Sequence, residues 1–216
     1  MTINSLNKWM DGLGVVDRTV ILKKPSKRVA LVLSSIVCRN IKSRYDRKLM
    51  FYDKYLGINL FLRECGCDYE EASDPCEADI IILKQLSKGK IPGNPRLIIV
   101  EWTRGFQGYS GIDIVLFTQT VKPSQYVMEV NNVKFLVKLS KCSIGQPALE
   151  DEKRTLLNLI RKTIDEYGYI DQDAILRIVS SFYNVSKSHA RHIMYEMAKE
   201  GLLILGKDYV EIPYYE

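Results

Sequence analysis

One stretch near the end of the chain, KSHARHIMYEMAKE at residues 187–200, constrains the fold most, because its apolar residues recur with a helical period. At about 100° per residue, one side of such a helix is apolar and the other is polar. The apolar side consists of Ala190, Ile193, Met194 and Met197. The polar side consists of Ser188, Arg191, His192, Tyr195 and Lys199. With Ser186 as its N-cap and Gly201 just past its end, the pattern predicts a helix that packs on one face and can form hydrogen bonds on the other.

Two further helices are predicted before this one, and a hairpin after it. EDEKRTLLNLIRKTIDEYG has leucines and isoleucines at helical spacing, acids at its start and Gly168 at its end. QDAILRIVSSFY follows with Asp171 as its N-cap, and residues 184–186 form a tight turn. The β-prone runs LLIL and YVEI, separated by Gly206, Lys207 and Asp208, indicate a short hairpin.

Three helices and a hairpin in about sixty residues resemble the winged helix-turn-helix family, and the resemblance covers the last third of the chain. In that family the third helix commonly enters the DNA major groove, and the wing contacts the backbone or the minor groove. By position, the resemblance implies contacts with double-stranded DNA from Lys187, Ser188, Arg191, His192 and Tyr195, with Lys207 in the wing.

The charge of this segment leaves a second role open. From Glu150 onward the sequence holds nine Lys and Arg against twelve Asp and Glu, a net charge of −3, whereas DNA-binding domains are usually basic as a whole. Winged helices also serve as protein–protein adaptors. The alternatives for this segment are therefore a structural or homodimerising role, or binding of a protein partner.

The positive charge lies in the first two thirds of the chain, above all in residues 18–48. This stretch carries a net charge of +9, with Asp46 as its one acid, and phosphate is the expected partner of such a stretch. Within it, we expect DNA contacts from Arg39, Lys42, Arg44, Arg47 and Lys48. The alternative is a solvated basic surface without a ligand.

The apolar pattern of the same region is α/β or α+β, with about five strands. RVALVLSSIV is a continuous apolar run typical of a strand buried on both faces, and the stretch RKLMFYDKYLGINLFLREC is predicted to be helical. ADIIIL, RLIIVEW, IDIVLF and VKFLVKL follow as short strands. Gly145, Gln146 and Pro147 indicate a linker, so we predict a basic α/β domain at 1–145 and a winged helix-turn-helix domain at 150–216.

An alternative function for the α/β domain is that of a metal-dependent nuclease of the restriction-endonuclease type, or of its inactive relative. Such a core needs carboxylates that hold Mg²⁺ and a lysine beside the second of them. Glu64, Asp79 and Glu101 occur in the right order, but Thr103 occupies the position of the lysine. We therefore predict no catalytic residues and no DNA cleavage.

Five cysteines, at positions 38, 65, 67, 76 and 142, form no CxxC pair, and both histidines lie in the predicted third helix. We expect buried thiols, no metal site and no cofactor, with a disulfide between Cys67 and Cys76 as the alternative. No signal peptide or apolar membrane span is apparent, which favours the cytoplasm. Together the patterns predict a two-domain DNA-binding protein, either a transcriptional regulator or an accessory factor in DNA transactions.

Overall fold

A computed structural model describes residues 5–14, 19–87, 91–104, 112–207 and 209–215. The helices in these ranges are α1 (Leu6–Gly12), α2 (Lys27–Tyr45), α3 (Asn59–Glu64), α4 (Asp151–Tyr167), α5 (Gln172–Tyr183) and α6 (Lys187–Lys199). The strands are β1 (Thr19–Lys23), β2 (Leu49–Asp53), β3 (Tyr69–Glu71), β4 (Ile80–Ser87), β5 (Leu97–Arg104), β6 (Ile112–Gln119), β7 (Gln125–Val130), β8 (Val133–Leu139), β9 (Ile144–Gly145), β10 (Ile204–Leu205) and β11 (Val210–Glu211).

Nine of these strands form one sheet in the order β3-β2-β4-β5-β1-β6-β7-β8-β9. The pairs β2–β3, β2–β4, β4–β5, β1–β5 and β1–β6 are all parallel. The central strands are buried, as expected for parallel strands that are covered on both faces. Since β1 to β6 run in one direction, their carboxyl ends lie along the same edge of the sheet.

A buried carboxylate anchors the turn between β7 and β8. Asn131 and Asn132 form this two-residue turn with φ values of 49° and 73°, the left-handed conformation that a type I′ hairpin turn requires. The Asn131 side chain donates to the Asp113 carboxylate at 2.7 Å, and Trp9 Nε1 donates to the same carboxylate at 3.2 Å. Asp113 thereby joins α1 and β6 to the hairpin turn.

The prediction of about five strands is wrong, and its clearest error is the run RVALVLSSIV. This run lies inside α2, where Ser26 caps the helix by accepting a hydrogen bond from the Val29 amide at 3.2 Å. Residues 32–38 are all buried, so the helix shows no polar face there. A helix buried all round has the same continuous apolar pattern as a buried strand, and periodicity cannot separate the two.

The stretch that was predicted to be one helix, residues 47–65, contains β2 followed by the short helix α3. The strands predicted from ADIIIL, RLIIVEW, IDIVLF and VKFLVKL are confirmed as β4, β5, β6 and β8. The sequence-based prediction missed β1, β2, β3, β7 and β9. Two of these five, β3 and β9, have only three and two residues and so give a weak periodic signal.

The three predicted C-terminal helices and the small hairpin are present. Ser186 accepts from the His189 amide at 3.3 Å at the start of α6, and Asp171 accepts from the Ala174 amide at 2.7 Å at the start of α5. Gly201 follows α6 with a φ of 75°, and β10 pairs antiparallel with β11. Apolar residues from all three helices and the hairpin form one buried cluster that includes Leu156, Ile160, Ile175, Val179, Ala190, Met194, Met197 and Val210.

The chain divides into two compact units. Unit 1 comprises Met1–Phe117, Met128–Val133 and Leu139–Gly145, and unit 2 comprises Thr118–Val127, Lys134–Lys138 and Gln146–Glu216. Within unit 2, the Gln125 side chain donates to the Glu200 carbonyl at 2.6 Å. The predicted domains at 1–145 and 150–216, with a linker between them, stay a prediction.

The alternative disulfide between Cys67 and Cys76 is wrong, because Cys65 pairs with Cys142 instead. Cys76 is an exposed free thiol, whereas Cys38 and Cys67 are the buried thiols that were expected. A hydrogen bond between these two thiols, with burial, raises the pKa of Cys38, and the same bond lowers the pKa of Cys67. The sequence spacing gave no indication of the true pair, which lies 77 residues apart.

Candidate nucleic-acid interface

Helix α6 is held by its apolar face and leaves its polar face exposed. Ala190, Met194 and Met197 are buried in the core of unit 2. On the other side lie the five predicted contact residues, which are all exposed: Lys187, Ser188, Arg191, His192 and Tyr195. The Tyr195 side chain is 48% exposed, which is high for an aromatic residue. The structure therefore brings the predicted contact residues of α6 together on one solvent-facing surface.

The connection between α5 and α6 fixes how this surface is presented. Asn184 ends α5 in the left-handed conformation, with a φ of 51°. The Val185 amide donates to the Ser180 carbonyl at 3.0 Å, and the Ser180 hydroxyl donates to the Val185 carbonyl at 2.6 Å. This two-way contact makes the turn rigid, so α6 keeps a fixed direction relative to α5.

The cations of the α6 surface are available to a ligand. Within the described ranges, neither Lys187 nor Arg191 forms an ion pair, whereas Lys199 contacts Glu196 at 2.7 Å. Lys207, the predicted wing residue, is exposed between β10 and β11. An unpaired exposed cation loses no internal contact when it binds an anion, which favours phosphate contacts from Lys187 and Arg191.

Most acids of the C-terminal segment lie outside the sequence of α6. Seven of its twelve acids lie between positions 150 and 173, on α4 and at the start of α5. Helix α6 itself carries Lys187, Arg191 and Lys199 against Glu196. The net charge of −3 therefore does not describe the surface that α6 presents.

The basic stretch of residues 18–48 does not form one continuous surface. Most of it is α2, whose middle is buried, so its cations are placed at the two ends of the helix. Lys27 and Arg44 are 17 residues apart, which corresponds to about 25 Å along a helix. Lys42 and Arg44 lie in the last turn, where cations also stabilise the helix dipole.

Several cations that were predicted to contact DNA are engaged inside unit 1. Arg39 donates to the Cys142 carbonyl at 2.8 Å, and Lys48 pairs with Glu70 at 3.4 Å. Arg47 holds the Asp79 carboxylate with two hydrogen bonds of 2.6 and 2.7 Å, which raise the pKa of Arg47. In the part of the chain that the structure describes, Lys42 and Arg44 have no such partner and stay available.

Asp79 and Glu101, two of the carboxylates required by the nuclease alternative, lie far apart along the strands of the sheet. Asp79 precedes β4, whereas Glu101 lies in the middle of β5, level with position 84 of β4. Five residues of strand span about 16 Å, too far for two carboxylates to share a metal ion. Asp79 is moreover occupied by Arg47 and by the Met50 amide at 2.9 Å. Across the described ranges, no three His, Cys, Asp or Glu residues are grouped so as to hold a metal.

A cleft that the sequence did not indicate lies at the carboxyl edge of the parallel strands. It has a volume of about 360 Å³ and is lined by Lys24, Pro25, Tyr55, Leu56 and Glu101. The Tyr55 hydroxyl donates to Glu101, and this bond raises the pKa of Tyr55. The turn from β1 to α2 beside it, residues 24–26, contains no glycine and so lacks the loop that cradles nucleotide phosphates.

A second groove, of about 270 Å³, lies beside α6 in unit 2. At its edge, Glu200 accepts hydrogen bonds from Lys122 at 2.9 Å and from Lys153 at 3.0 Å. Burial acts to raise the pKa of Glu200, but the two lysines outweigh burial and lower it. The ionised carboxylate therefore stabilises the folded state of unit 2.

Replacing Glu200 with glutamine is expected to lower the free energy of unfolding at pH 7 by about 1.5–3 kcal/mol, the range for hydrogen bonds to a charged group. Because the folded-state pKa is lowered, the contribution is fully present above the unfolded-state value of about 4.3 and is lost as the pH falls through the folded-state value. Urea unfolding from pH 3 to pH 7 measures the difference. Glu166→Gln, at an exposed pair of 3.9 Å with Lys162, is the control and is expected to change little. A loss of unfolding free energy in the Glu200→Gln variant that does not vary with pH contradicts this role.

No protein-family model matches the chain, and no curated protein matches it in a sequence comparison. Among the described residues, no helix is both long enough and apolar enough to cross a membrane.

Proposed function

We propose that the protein binds double-stranded DNA through α6 and the β10–β11 hairpin of unit 2, which acts as a winged helix-turn-helix. The single observation that carries the proposal is the solvent-facing surface of α6. There Lys187 and Arg191 are exposed beside Ser188, His192 and Tyr195, and neither cation has a partner among the residues that the structure describes. Arginine and polar side chains on one helix face are suited to the base edges and phosphates of the major groove.

Two features of the surroundings support this proposal. The turn between α5 and α6 is held by Ser180, so the surface is presented by a rigid element, as sequence recognition requires. Lys42 and Arg44, at the end of α2 in unit 1, are further cations that can neutralise phosphates. A regulator of transcription or an accessory factor in DNA transactions fits these features, and it would act in the cytoplasm.

Arg191→Ala tests the proposal. The DNA site is unknown, so a preferred duplex is first selected from a random pool with the native protein. We expect the variant to lose about 1–3 kcal/mol of binding free energy on this duplex and much less on random duplex, because a base contact carries specificity whereas phosphate contacts do not. Affinities are measured at two salt concentrations.

The matched control is Arg154→Ala, which removes one exposed arginine from α4 of the same unit. This control is expected to affect both duplexes slightly and equally. If Arg191→Ala weakens binding to the selected and random duplexes by the same factor, α6 does not read sequence. If the native protein binds neither duplex in a salt-dependent manner, the proposed function is wrong.

A further inference from the structure

Three tyrosines of unit 2 are exposed far more than aromatic side chains usually are. Tyr167 is 74% exposed, Tyr169 is 71% exposed and Tyr209 is 49% exposed. The Val210 amide donates to the Ile170 carbonyl at 3.0 Å, so the backbone segments that carry Tyr169 and Tyr209 adjoin each other. We call Tyr167, Tyr169 and Tyr209 the tyrosine surface.

The hairpin side of the tyrosine surface is held in place. The Gln172 side chain donates to the Gly206 carbonyl at 2.7 Å, which ties the hairpin to the start of α5. The Tyr209 ring packs directly on Gly206, where a Cβ atom would lie only 2.4 Å from the ring. The position of this ring is thus fixed before any partner binds, which lowers the entropic cost of binding.

Exposed carboxylates adjoin Tyr167 and Tyr169 in the sequence. Asp165 and Glu166 precede Tyr167 on α4, and Asp171 and Asp173 follow Tyr169; all four are exposed. Among the described residues of 162–173 and 206–210, the cations that offset this negative charge are Lys162 and Lys207 alone. A local excess of carboxylates attracts cations, so this surface suits a cationic partner.

We infer that the tyrosine surface binds an arginine-rich segment of a partner protein. Aromatic faces attract guanidinium groups by cation–π interaction, and a carboxylate accepts the two parallel hydrogen bonds that a guanidinium offers. Unit 2 already contains such a contact, since the Arg161 guanidinium lies 4.5 Å from the centre of the Tyr215 ring. This inference does not depend on DNA binding by α6.

The test uses the full-length protein and two peptides of about ten residues, in which glycine alternates with arginine or with lysine, because cation–π contact favours arginine at equal charge. Isothermal titration calorimetry is expected to show the arginine peptide binding at least about fivefold more tightly, which corresponds to about 1 kcal/mol. In the variant Tyr167→Ala/Tyr169→Ala, which keeps the packing of Tyr209 on Gly206, the difference is expected to shrink. In the triple variant that adds Tyr209→Ala, it is expected to vanish.

Tyr195→Ala removes a tyrosine of comparable exposure from α6 and is expected to keep the preference for arginine. Asp165→Asn/Asp173→Asn is expected to weaken the binding of both peptides by a similar factor. Equal affinities of the native protein for the two peptides overturn the inference, as does an arginine preference that survives the triple variant. The native protein and the triple variant are also tested for binding of a single-stranded oligonucleotide and for self-association. If the native protein shows either interaction and the triple variant abolishes it, the surface belongs to that partner and the inference is overturned.

Discussion

Replacing Arg47 with alanine is expected to lower the free energy of unfolding of the protein by about 3 kcal/mol, because it leaves a buried carboxylate without its counter-charge. The Asp79 side chain is only 11% exposed, and Arg47 satisfies both of its oxygens. The Met50 amide contributes one further hydrogen bond, which cannot neutralise the charge. Urea unfolding of the variant and of the native protein at pH 7 measures the difference.

Two further variants isolate the cause. Lys48→Ala removes the neighbouring cation, whose pair with Glu70 is exposed at both ends, and is expected to cost no more than about 0.5 kcal/mol. Asp79→Asn introduced into the Arg47→Ala protein is expected to restore part of the lost stability, since it removes the unpaired charge. An Arg47→Ala protein as stable as the Lys48→Ala protein would show that Asp79 does not depend on Arg47.

Removing the disulfide between Cys65 and Cys142 is expected to have a comparable effect. The bond closes a loop across a sequence separation of 77 residues. The chain-entropy model assigns a loop of this length about 4.5 kcal/mol of stability, because the cross-link restricts the unfolded chain. The variant Cys65→Ser/Cys142→Ser is therefore expected to unfold at a markedly lower urea concentration than the native protein.

Cys76→Ser is the matched control, because Cys76 is an exposed free thiol, and its stability is expected to be unchanged. Peptide mapping of the native protein without reductant is expected to recover the peptides of Cys65 and Cys142 joined to each other. Recovery of a different cysteine pair, or equal stability of the double variant and the native protein, contradicts this pairing.

The elements that the sequence predicted well are those with local signals. Helices α4, α5 and α6 have an amphipathic period. Asp171 and Ser186 are the N-caps of α5 and α6, and glycines follow α4 and α6. Helix α2 has an N-cap at Ser26 but no amphipathic period, because both of its faces are covered over residues 32–38, and its continuous apolar run therefore favoured a strand. The strand order of the sheet depends on contacts between distant segments, which no local pattern encodes.

The candidate interface shows the same difference between local signals and contacts of distant segments. The contact residues of α6 were predicted from their positions on one helix. They lie together in the structure because the helical period alone places them on the same face. The DNA contacts of residues 18–48 were predicted from the charge along the chain. In the structure, however, α2 separates these cations, and Asp79 pairs with Arg47. Net charge over a sequence segment does not reveal which cations are paired, since their partners lie elsewhere in the chain.

The central claim is that the exposed face of α6 contacts duplex DNA, and a photo-crosslinker at position 195 tests it most directly. Tyr195, 48% exposed on this face, is replaced by benzoylphenylalanine, and the protein is irradiated with duplex DNA at low and at high salt. We expect a covalent adduct at low salt that decreases as salt rises, because phosphate contacts are screened by added ions. The same replacement at Tyr214, 56% exposed in unit 2, is expected to give little adduct. Adducts from position 214 but none from position 195 would contradict the claim.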